Sequence, residues 1–510
     1  MTIPNIVPES APFTDEQRSW LNGFLSGWLG TTQQAEPAND PEVDEDYPWH
    51  DETMPLEERM ALAEGRPFEQ QLMAAMGQQD CGQCGYLCDT YAKALASGNE
   101  ADMNLCAPGG RDTRLVLKDL LAENAALIGG GEGALPQNAP VPGTRDYPVL
   151  ATVLSATPLT GEGSCKAISH IAVDLSDTGL TYRAGDSLGV YPTNDGELIS
   201  EVLAYLGVSG AERLVIDGKP CTAQEALLHR KSLGEPSDDL LAYLLTLADT
   251  DTQATIANAL EQGVEEGTDV LDVLQWLQSF SGDAARVITS LAPLQPRLYS
   301  ISSSPQTHFP EVHGTIAIVR YERGGRDRSG VASTYLGERC VPGTKVPVYI
   351  QPTADFLLPA DPCADVIMIG PGTGIAPFRA FLHERAATGA SGRNWLFFGN
   401  PNQATDYLYQ EEFEAFQAAG VLTDISLAFS RDQDHKIYVQ DRLRERGADV
   451  WKWLENGAYL YICGDATSMS AGVQAALHAI GEEFGGLSPE HSVNYFKELK
   501  NQHRFLKDVY

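Results

Sequence analysis

The feature that most constrains the fold is a short apolar run that ends in a glycine-rich turn. Val366-Ile-Met-Ile is followed by Gly370-Pro-Gly372-Thr373-Gly374, and a helical pattern begins directly after the turn. Glycines between a strand and a helix let the backbone approach a pyrophosphate, so this order of elements is typical of a dinucleotide site. Strand patterns then alternate with helical ones, at residues 395–399, 425–430 and 459–463. The sequence therefore predicts an α/β, Rossmann-like domain over residues 359–510.

Polar side chains cluster just after the strand at 425–430. Two cations among hydroxyl and amide groups fit the 2′-phosphate of NADPH, whereas NADH would need an acidic residue for its ribose. The candidates for this 2′-phosphate site are Ser430, Arg431, Lys436, Tyr438 and Gln440. The strand at 459–463 ends in Cys463 and is followed by Asp465, a further candidate for nucleotide binding. Cys463 is either a thiol at the mouth of the site or a small buried apolar side chain.

A second motif lies upstream, in the octet at residues 297–304. Arg297 offers a planar fork of donors for a pyrophosphate or a flavin-ring acceptor, and Tyr299 offers a ring that can stack on the isoalloxazine. Ser300 would place a hydroxyl beside the flavin N5. Leu298, Ser300 and Ser302 alternate as in a strand, so Tyr299 and Ser300 are expected on opposite faces. The octet alone is not specific, because hydroxyl-rich strands are common.

The octet lies within a region of alternating strand patterns. These predict a small antiparallel β-barrel over residues 146–358, interrupted by a helical insert at about 195–291. Within the barrel, Gly330-Val331-Ala332-Ser333 opens a helix. Its amides and helix dipole fit the diphosphate of FAD, although an ordinary loop-to-helix start has the same pattern. Further candidate flavin contacts are Thr315, Ala317 and Tyr321.

Cysteines gather in a third motif near the N-terminus. Cys81, Cys84, Cys88 and Cys106 follow the spacing C-x2-C-x3-C-x17-C, with glycines after the first two. Three cysteines in one tight turn and a distant fourth are the usual ligands of a 4Fe-4S cluster. The alternative is a structural zinc site, which usually has two C-x2-C knuckles, whereas this motif has one. The sequence predicts a small iron–sulfur domain over residues 69–128.

Composition limits the partners and the compartment. The net charge of −35 argues against a nucleic acid or an anionic membrane as partner, and no apolar run is long enough to span a membrane. The first residues lack a basic segment followed by an apolar core, so we expect a cytoplasmic protein. In that compartment, cysteines are more often metal ligands or catalytic groups than disulfides.

The remaining segments are an N-terminal helix and two linkers. Residues 1–33 contain Trp20, Leu21, Phe24, Leu25 and Trp28 at helical spacing. Their apolar face would pack on the same chain, dock a partner or join a second copy into a homo-oligomer. An acidic, proline-containing stretch at 34–68 and a glycine- and proline-rich stretch at 129–145 are expected to be extended linkers.

Over residues 147–510 the chain resembles the ferredoxin-NADP reductase superfamily in its diflavin-reductase form, and within it the flavoprotein components of NADPH-dependent sulfite reductases. The resemblance is carried by the octet motif, by the segments beginning at Gly330 and Gly370, and by three later segments. Those are Ala428-Phe-Ser-Arg-Asp, Lys436-Ile-Tyr-Val-Gln and Tyr461-Ile-Cys-Gly-Asp, followed by the terminal Asp508-Val-Tyr510. The first thirty residues also resemble the leader of those flavoproteins, which serves assembly.

The resemblance implies roles for these residues. Ser300, Cys463 and Asp508 would assist hydride transfer, and Tyr510 would stack on the flavin and move aside for the nicotinamide. Thr373 would lie near the nicotinamide, between Gly372 and Gly374 of the nucleotide turn. The cysteine segment is similar to the small 4Fe-4S domains of bacterial electron-transfer proteins, with a gap of three residues before Cys88 where that family has four.

One departure from the diflavin family shapes the functional hypothesis. The family carries an FMN-binding flavodoxin domain before the barrel, and here the cysteine segment takes its place, so we expect FAD and a 4Fe-4S cluster but no FMN. The leading hypothesis is a reductase passing electrons from NADPH to FAD, to the cluster and to a haem or sirohaem enzyme, with sulfite reductase as the first candidate. A nitrite or nitrate reductase partner is the alternative. A different class, an iron–sulfur redox-sensing or scaffold protein, also fits the cysteines.

Overall fold

The computed structural model describes residues 47–510, except residues 53, 80–83, 101, 107, 126, 129–140, 217, 354 and 467. The predicted N-terminal helix and Cys81 lie outside the described residues. Trp49–Tyr510 form one compact unit, built from a β-barrel, a helical insert, a parallel sheet and a short cysteine-containing segment. This order of elements agrees with the predicted architecture from residue 146 onward.

A six-stranded antiparallel sheet closes into the predicted barrel. The strands are β1 Val149–Pro158, β2 Ile168–Asp174, β3 Ser187–Val190, β6 Arg297–Ser300, β7 Glu311–Ala317 and β10 Lys345–Gln351. Their order in the sheet is β6-β3-β10-β1-β2-β7, and a bridge between Ile301 and Gly314 joins the first strand to the last. Alternating apolar residues such as Val153, Val173 and Val348 fill the interior. Closure therefore places the octet motif at the seam of the barrel.

The helical insert lies between β3 and β6 and has its own apolar core. Its elements are α5 Gly196–Leu206, the hairpin strands β4 Arg213–Ile216 and β5 Lys219–Thr222, and helices α6 Ala223–His229, α7 Asp238–Leu247, α8 Thr250–Gln262, α9 Val270–Gln275 and α10 Ala284–Ser290. The sequence did not predict α8, which buries only Ile256 and Ala259. Its start is fixed instead by Asp249, whose carboxylate accepts a hydrogen bond of 2.9 Å from the Thr252 amide.

Shorter elements follow β6. They are α11 Pro305–His308, the hairpin strands β8 Arg320–Arg323 and β9 Arg326–Ser329, α12 Val331–Thr334 and a π-helical turn at Tyr335–Arg339. The strand β7 ends at Ala317, so Tyr321, a candidate flavin contact, belongs to the separate β8–β9 hairpin.

The C-terminal domain is a five-stranded parallel sheet with helices on both faces. Its strands are β11 Val366–Ile369, β12 Asn394–Asn400, β13 Asp424–Phe429, β14 Tyr459–Gly464 and β15 Phe505–Val509, in the order β13-β12-β11-β14-β15. The helices are α13 Ala376–Thr388, α14 Gln403–Asp406, α15 Gln410–Ala418, α16 Val439–Glu445, α17 Gly447–Glu455, α18 Ser468–Gly485 and α19 Pro489–Asn501. The sequence missed β15, whose register sets Asp508 beside Cys463.

The segment before the barrel contains four helices, α1 Leu56–Ala63, α2 Phe68–Ala74, α3 Cys88–Ser97 and α4 Gly110–Glu123. The prediction of an extended linker over residues 34–68 is wrong from Trp49 onward, because Trp49 is fully buried and α1 is helical. The acidic composition misled the prediction. Glu52 is not a solvated charge, since its carboxylate pairs with the ammonium of Lys507 at 2.8 Å.

This ion pair provides a test of the fold at residues 49–63. The side chains of Lys507 and Glu52 are only 16% and 7% exposed. We expect Lys507→Met to lower the free energy of unfolding by about 3 kcal/mol, because it leaves the Glu52 carboxylate buried without its cation. Urea denaturation of Lys507→Met, Glu52→Gln and the double variant measures the coupling. Lys93→Met, which removes an exposed ion pair with Asp89, is the control and should cost under about 1 kcal/mol. Additive effects of the two substitutions would contradict the pairing.

Four imidazoles stand in a row where the barrel meets the parallel sheet domain. His170 of β2, His313 of β7, His308 of α11 and His383 of α13 make successive ring contacts, with centroids 4.5–4.7 Å apart. Arg379 crosses the row. It forms a two-pronged ion pair with Glu412 at 2.7 and 3.0 Å, and it donates a hydrogen bond of 2.7 Å to the carbonyl of Ser302.

Burial and neighbouring charge keep three of these imidazoles neutral. Burial, followed by the Arg379 cation, lowers the pKa of His313 to about 3. Burial and the next imidazole lower the pKa of His170 to about 3 and that of His308 to about 4. Burial alone would raise the pKa of Glu412, but hydrogen bonds from His383 and Arg379 lower it to about 2. The cluster is therefore built for neutral imidazoles and an ionised carboxylate.

These pKa shifts predict acid sensitivity. The unfolded chain binds protons at its histidines below about pH 6.5, while the folded chain does not until about pH 4 or 3, so stability falls as pH falls through this window. Each imidazole contributes a loss of about 1.4 kcal/mol per pH unit. The free energy of unfolding, measured by thermal unfolding at pH values from 7 to 4, should fall less steeply with decreasing pH in His313→Gln than in the parent. His229→Gln, at an exposed position on α6, should leave the slope unchanged. An unaltered slope in His313→Gln would contradict the assignment.

Candidate functional site

A three-residue contact joins the barrel to the parallel sheet. The hydroxyl of Ser300, at the end of β6, donates a hydrogen bond of 2.6 Å to the Asp508 carboxylate, and the Cys463 thiol lies 3.7 Å from the same oxygen. The parallel pairing of β14 with β15 sets Cys463 opposite Asp508. Burial raises the pKa of Asp508, and burial together with the Asp508 carboxylate raises the pKa of Cys463 well above its usual value. The thiol thus stays protonated beside the carboxylate.

The last residue, Tyr510, closes one side of this contact. Its hydroxyl lies 2.8 Å from that of Thr373 in the nucleotide turn, and its amide donates to the carbonyl of Gly464 at 3.0 Å. Burial raises the pKa of Tyr510, although 56% of the residue's surface is exposed. Tyr510 thus contacts Thr373 and Gly464 while much of the residue remains accessible.

Arg297 and Tyr299 show a similar combination of enclosure and accessible surface. Burial raises the pKa of Tyr299 and lowers the pKa of Arg297, although Arg297 is exposed and Tyr299 only partly covered. The guanidinium of Arg297 donates to the carbonyls of Gln295 and Pro296, and no carboxylate in the described part of the chain forms an ion pair with it. Tyr299 packs against the barrel core while Ser300 points to Asp508, so the predicted opposite orientations are confirmed.

The other candidate flavin residues fall into two groups. Gly330 begins α12, and a Cβ there would lie 2.8 Å from Val319, so only glycine fits. Val331, Ala332 and Ser333 form the first turn, where the buried Ser333 hydroxyl accepts a hydrogen bond from the Val319 amide. The structure places Thr315, Ala317 and Tyr321 elsewhere. The Thr315 hydroxyl bonds that of Tyr409 at 2.7 Å, Ala317 is exposed, and Tyr321 is on β8.

The glycine turn lies against the end of β14. A Cβ at Gly374 would stand 2.1 Å from the carbonyl of Cys463, and Gly372 adopts a φ of +59° that disfavours other residues. Thr373 sits between them in a 3-10 turn, Gly372–Ile375, that leads into α13. This close approach brings the turn to the Ser300, Cys463 and Asp508 contact, as a nucleotide site next to a flavin requires.

The candidate 2′-phosphate residues follow β13 in the chain and all keep accessible surface. Arg431, Lys436 and Tyr438 are exposed, and Ser430 and Gln440 are half-buried. The Arg431 guanidinium contacts the Cys165 thiol at 3.3 Å. Asp465 has a structural contact instead, because its carboxylate caps α18 by accepting bonds from the amides of Ser468 and Met469 at 2.7 and 3.0 Å.

Sequence reasoning missed the contribution of the barrel loop at residues 160–166. Its backbone bonds the parallel sheet domain through Gly161 and Thr405 at 2.7 Å. Lys166 donates to Asn400 at 3.3 Å, and its ammonium lies 3.8 Å from where a Cβ at Gly372 would be. An ammonium beside the glycine turn is placed to meet a pyrophosphate. The signal in the sequence was a single lysine in a loop, which only the fold brings to the turn.

The cysteine segment forms a small enclosed cavity. Cys84, Cys88 and Cys106 line it together with Met76, Tyr86, Tyr91, Leu105 and Pro108. The Gly77 amide donates to the Cys106 sulfur at 3.3 Å, and burial raises the pKa of Cys84 and of Cys106. Among the described residues, which exclude Cys81, no set of three His, Cys, Asp or Glu side chains is placed to hold a metal ion. The predicted convergence of these three cysteines on one pocket is confirmed, and their ligand role stays a prediction.

A buried arginine stands beside these thiols. Burial lowers the pKa of Arg59 on α1, while the charges of Cys106 and Cys88 act in the opposite direction. Its Nη1 donates a hydrogen bond to the carbonyl of Met76. A buried cation beside clustered thiols favours their ionised form.

Comparison with known proteins agrees with the two main domains. Residues 142–335 match the family described as FAD binding domain, and residues 368–475 match the family described as oxidoreductase NAD-binding domain. The NADPH sulfite reductase flavoprotein alpha-component of Photorhabdus laumondii is 45% identical over 370 residues, which are 72% of this chain and 61% of that protein. That of Salmonella typhi is 43% identical over 371 residues, 72% and 62% of the two chains. That of Shewanella sp. strain ANA-3 is 40% identical over 428 residues, 82% and 71%.

The fold and the matched families define a multidomain protein with a FAD-binding domain and a NAD-binding domain of the oxidoreductase type. The chain belongs to the family of NADPH sulfite reductase flavoprotein alpha-components. It spans about three fifths of the length of the first two relatives named above. In the part of the chain that the structure describes, no helix is long and apolar enough to cross a membrane.

The positions of the three cations predict separable effects on nucleotide binding. Arg431 and Lys436 should contact only the 2′-phosphate, so replacing both by alanine should weaken NADP⁺ binding at least about tenfold and leave NAD⁺ binding nearly unchanged. Lys166→Ala should weaken both nucleotides by a similar factor, because both contain the pyrophosphate. Titration calorimetry measures the dissociation constants, with Lys345→Ala on the barrel as control. Equal effects of the double variant on NADP⁺ and NAD⁺ would refute the 2′-phosphate site.

Proposed function

We propose that this chain is an NADPH-dependent electron-transfer reductase that supplies a haem or sirohaem enzyme, with assimilatory sulfite reductase as the most probable acceptor. The observation that carries the proposal is the contact of Ser300, Asp508 and Cys463 where the flavin motif meets the nucleotide turn. The relatives' printed name supports sulfite reductase. We propose that electrons pass from NADPH to FAD, to a 4Fe-4S cluster and then to the partner.

The residues of the barrel fit FAD. Arg297, Tyr299 and Tyr510 lie within three residues of Ser300 or Asp508 in the sequence and keep accessible surface, so a planar ring system with a phosphate tail matches the groups present. When bound, FAD supplies a centre that takes up a hydride and releases single electrons. Arg297 would hold the phosphate or ring oxygens, Tyr299 and Tyr510 would cover the ring, and the helix start at Gly330 would face the diphosphate.

Asp508, Ser300 and Cys463 would control polarity and protons beside the reacting atoms. The Asp508 carboxylate fixes the Ser300 hydroxyl through the 2.6 Å bond, which orients its oxygen at the end of β6. The protonated Cys463 thiol presents a weakly polar group at the nucleotide turn. Tyr510 excludes water from this point, and its bond to Thr373 gives it a second anchor that must break if the nicotinamide takes its place.

The donor chemistry of the cysteine cavity fits an iron–sulfur cluster. Cys84, Cys88 and Cys106 would be ligands, together with Cys81, the Gly77 amide would donate to a ligand sulfur, and Arg59 would balance negative charge. The spacing favours a cluster over a structural zinc ion, because zinc sites usually have two C-x2-C knuckles and this segment has one. The eight cysteines that the structure describes, Cys84, Cys88 and Cys106 among them, form no disulfide with one another.

Two other functions are ranked lower. A nitrite or nitrate reductase partner would use the same chemistry, and only the acceptor distinguishes it. An iron–sulfur redox-sensing or scaffold protein would not need the nucleotide turn beside Ser300, and that placement favours the reductase. The N-terminal residues 1–33 are proposed to dock the partner or a second copy of the chain.

Cys84→Ser tests the order of the proposed path. The parent should contain one FAD, iron and sulfide for one 4Fe-4S cluster, and no stoichiometric FMN. In the variant, loss of a ligand should remove the iron, while NADPH should still bleach the flavin at nearly the parental rate, because the barrel and nucleotide turn lie in separate elements. Reduction of ferricyanide should persist and reduction of the haem or sirohaem partner should fail.

The control is Cys363→Ser, which changes an exposed thiol on the parallel sheet domain. It should keep iron, flavin reduction and turnover with the partner. If Cys84→Ser loses its iron but still reduces the partner at the parental rate, the cluster is structural and the proposed path is wrong. If the parent holds zinc without iron, or stoichiometric FMN, the cofactor assignment is wrong.

A further inference from the structure

Arg145 lies between the cysteine cavity and β6, which carries Arg297, Tyr299 and Ser300 and is called the flavin strand below. Its side chain covers Gly85, the residue after Cys84, and a Cβ at Gly85 would lie 3.3 Å from Arg145 Cδ and 3.4 Å from Nη1. Gly85 has a φ of +91°, so this turn depends on glycine for both its conformation and its closeness to the arginine.

The other end of the guanidinium reaches the barrel. Nη2 of Arg145 donates a hydrogen bond of 2.6 Å to the side-chain oxygen of Gln295, and the backbone carbonyl of Gln295 accepts from Arg297 at 3.4 Å. The Tyr191 hydroxyl, next to β3, donates to the carbonyl of Arg145 at 2.8 Å. Arg145 thus contacts Gly85 in the cysteine turn and Gln295, two residues before the octet at 297–304. It also contacts Tyr191, which follows β3, the strand that pairs with β6.

We propose that Arg145 is a positioning residue that docks the cysteine turn onto the flavin strand and so sets the rate of internal electron transfer. This inference rests on the proposed function. Arg145 ends a glycine- and proline-rich stretch of the sequence, and its contacts with Gln295 and Gly85 tie this point of the chain to both the barrel and the cysteine segment. The positive charge beside Gly85 also favours whichever redox state of the neighbouring cysteine site is more negative.

The test compares Arg145→Ala, Arg145→Lys and Gln295→Ala in the full-length protein carrying its cofactors. Stopped-flow absorbance after mixing with NADPH separates flavin bleaching from the later electron transfer to the cluster. Bleaching should be unchanged in all three variants. The later step should slow about tenfold or more in Arg145→Ala and Gln295→Ala, because the arginine over Gly85 is then missing or is no longer held to the barrel by its charge-assisted hydrogen bond.

Two further readouts separate docking from simple loss of structure. Hydrogen exchange of the amides at 84–97 should speed up in Arg145→Ala and Gln295→Ala. A potentiometric titration followed by electron paramagnetic resonance should show a more negative cluster potential in Arg145→Ala and the parental potential in Arg145→Lys, which keeps the charge. Arg393→Ala, which removes an arginine paired with Asp365 on the parallel sheet domain, is the matched control and should change none of these values.

The outcomes distinguish this inference from the proposed function. A parent without iron, or with a cluster that NADPH does not reduce, overturns the proposed function. In that case the rate of hydrogen exchange at the amides of residues 84–97 still decides whether Arg145 docks the turn. A parent that behaves as proposed, with Arg145→Ala and Gln295→Ala matching it in electron transfer and in hydrogen exchange, overturns the inference. If Arg145→Ala loses iron, Gln295→Ala decides, since it keeps the arginine and removes only the bond that holds its side chain to the barrel.

Discussion

The hydrogen bond between Ser300 and Asp508 is the contact on which the rest of the site depends. It joins residues 208 positions apart, one at the seam of the barrel and the other on the edge strand of the parallel sheet. A carboxylate enclosed by protein needs such a donor, because a buried charge without partners is costly. The bond forms only if both domains hold a fixed orientation, so the structure must hold the two domains rigidly together near this point.

Arg379 supplies that rigidity. It lies on the helix that begins at the nucleotide turn, and it bonds the carbonyl of Ser302, two residues after Ser300. The same guanidinium is fixed by both oxygens of Glu412. Tyr409 adds a further tie between the domains, since its hydroxyl meets Thr315 and His170 of the barrel at 2.7 and 3.0 Å. Tyr409 has a φ of +56°, a conformation that costs energy, and these bonds help to hold it.

The sequence predicted the elements better than their contacts. Alternating patterns and the glycine turn were sufficient for the barrel, for four of the five parallel strands and for the position of the insert. They were not sufficient for β15, because Lys507 and Asp508 interrupt its apolar pattern and each is satisfied by a partner far away in the chain. The same reason explains the error at residues 49–63, where an acidic composition concealed Trp49 and the ion pair of Glu52. Lys166 could not be found, since a loop lysine acquires meaning only when the fold places it at the glycine turn.

The cysteine segment is fixed to the helical insert and to the barrel through separate contacts. Three of its cysteines share a cavity with two tyrosines, so the cavity is shielded from solvent on that side. The helix α4 that follows Cys106 holds the segment against the insert, since Arg114 pairs with Asp238 at 3.0 Å and Arg111 bonds the carbonyls of Leu260 and Glu261. These contacts lie on the helical insert and Arg145 lies at the flavin strand. The segment is therefore held at two separate places, on the helical insert and beside the flavin strand. Two contacts restrict rotation of the segment more than one contact would. Of the two, only the contact through Arg145 lies next to the residues proposed to bind the flavin.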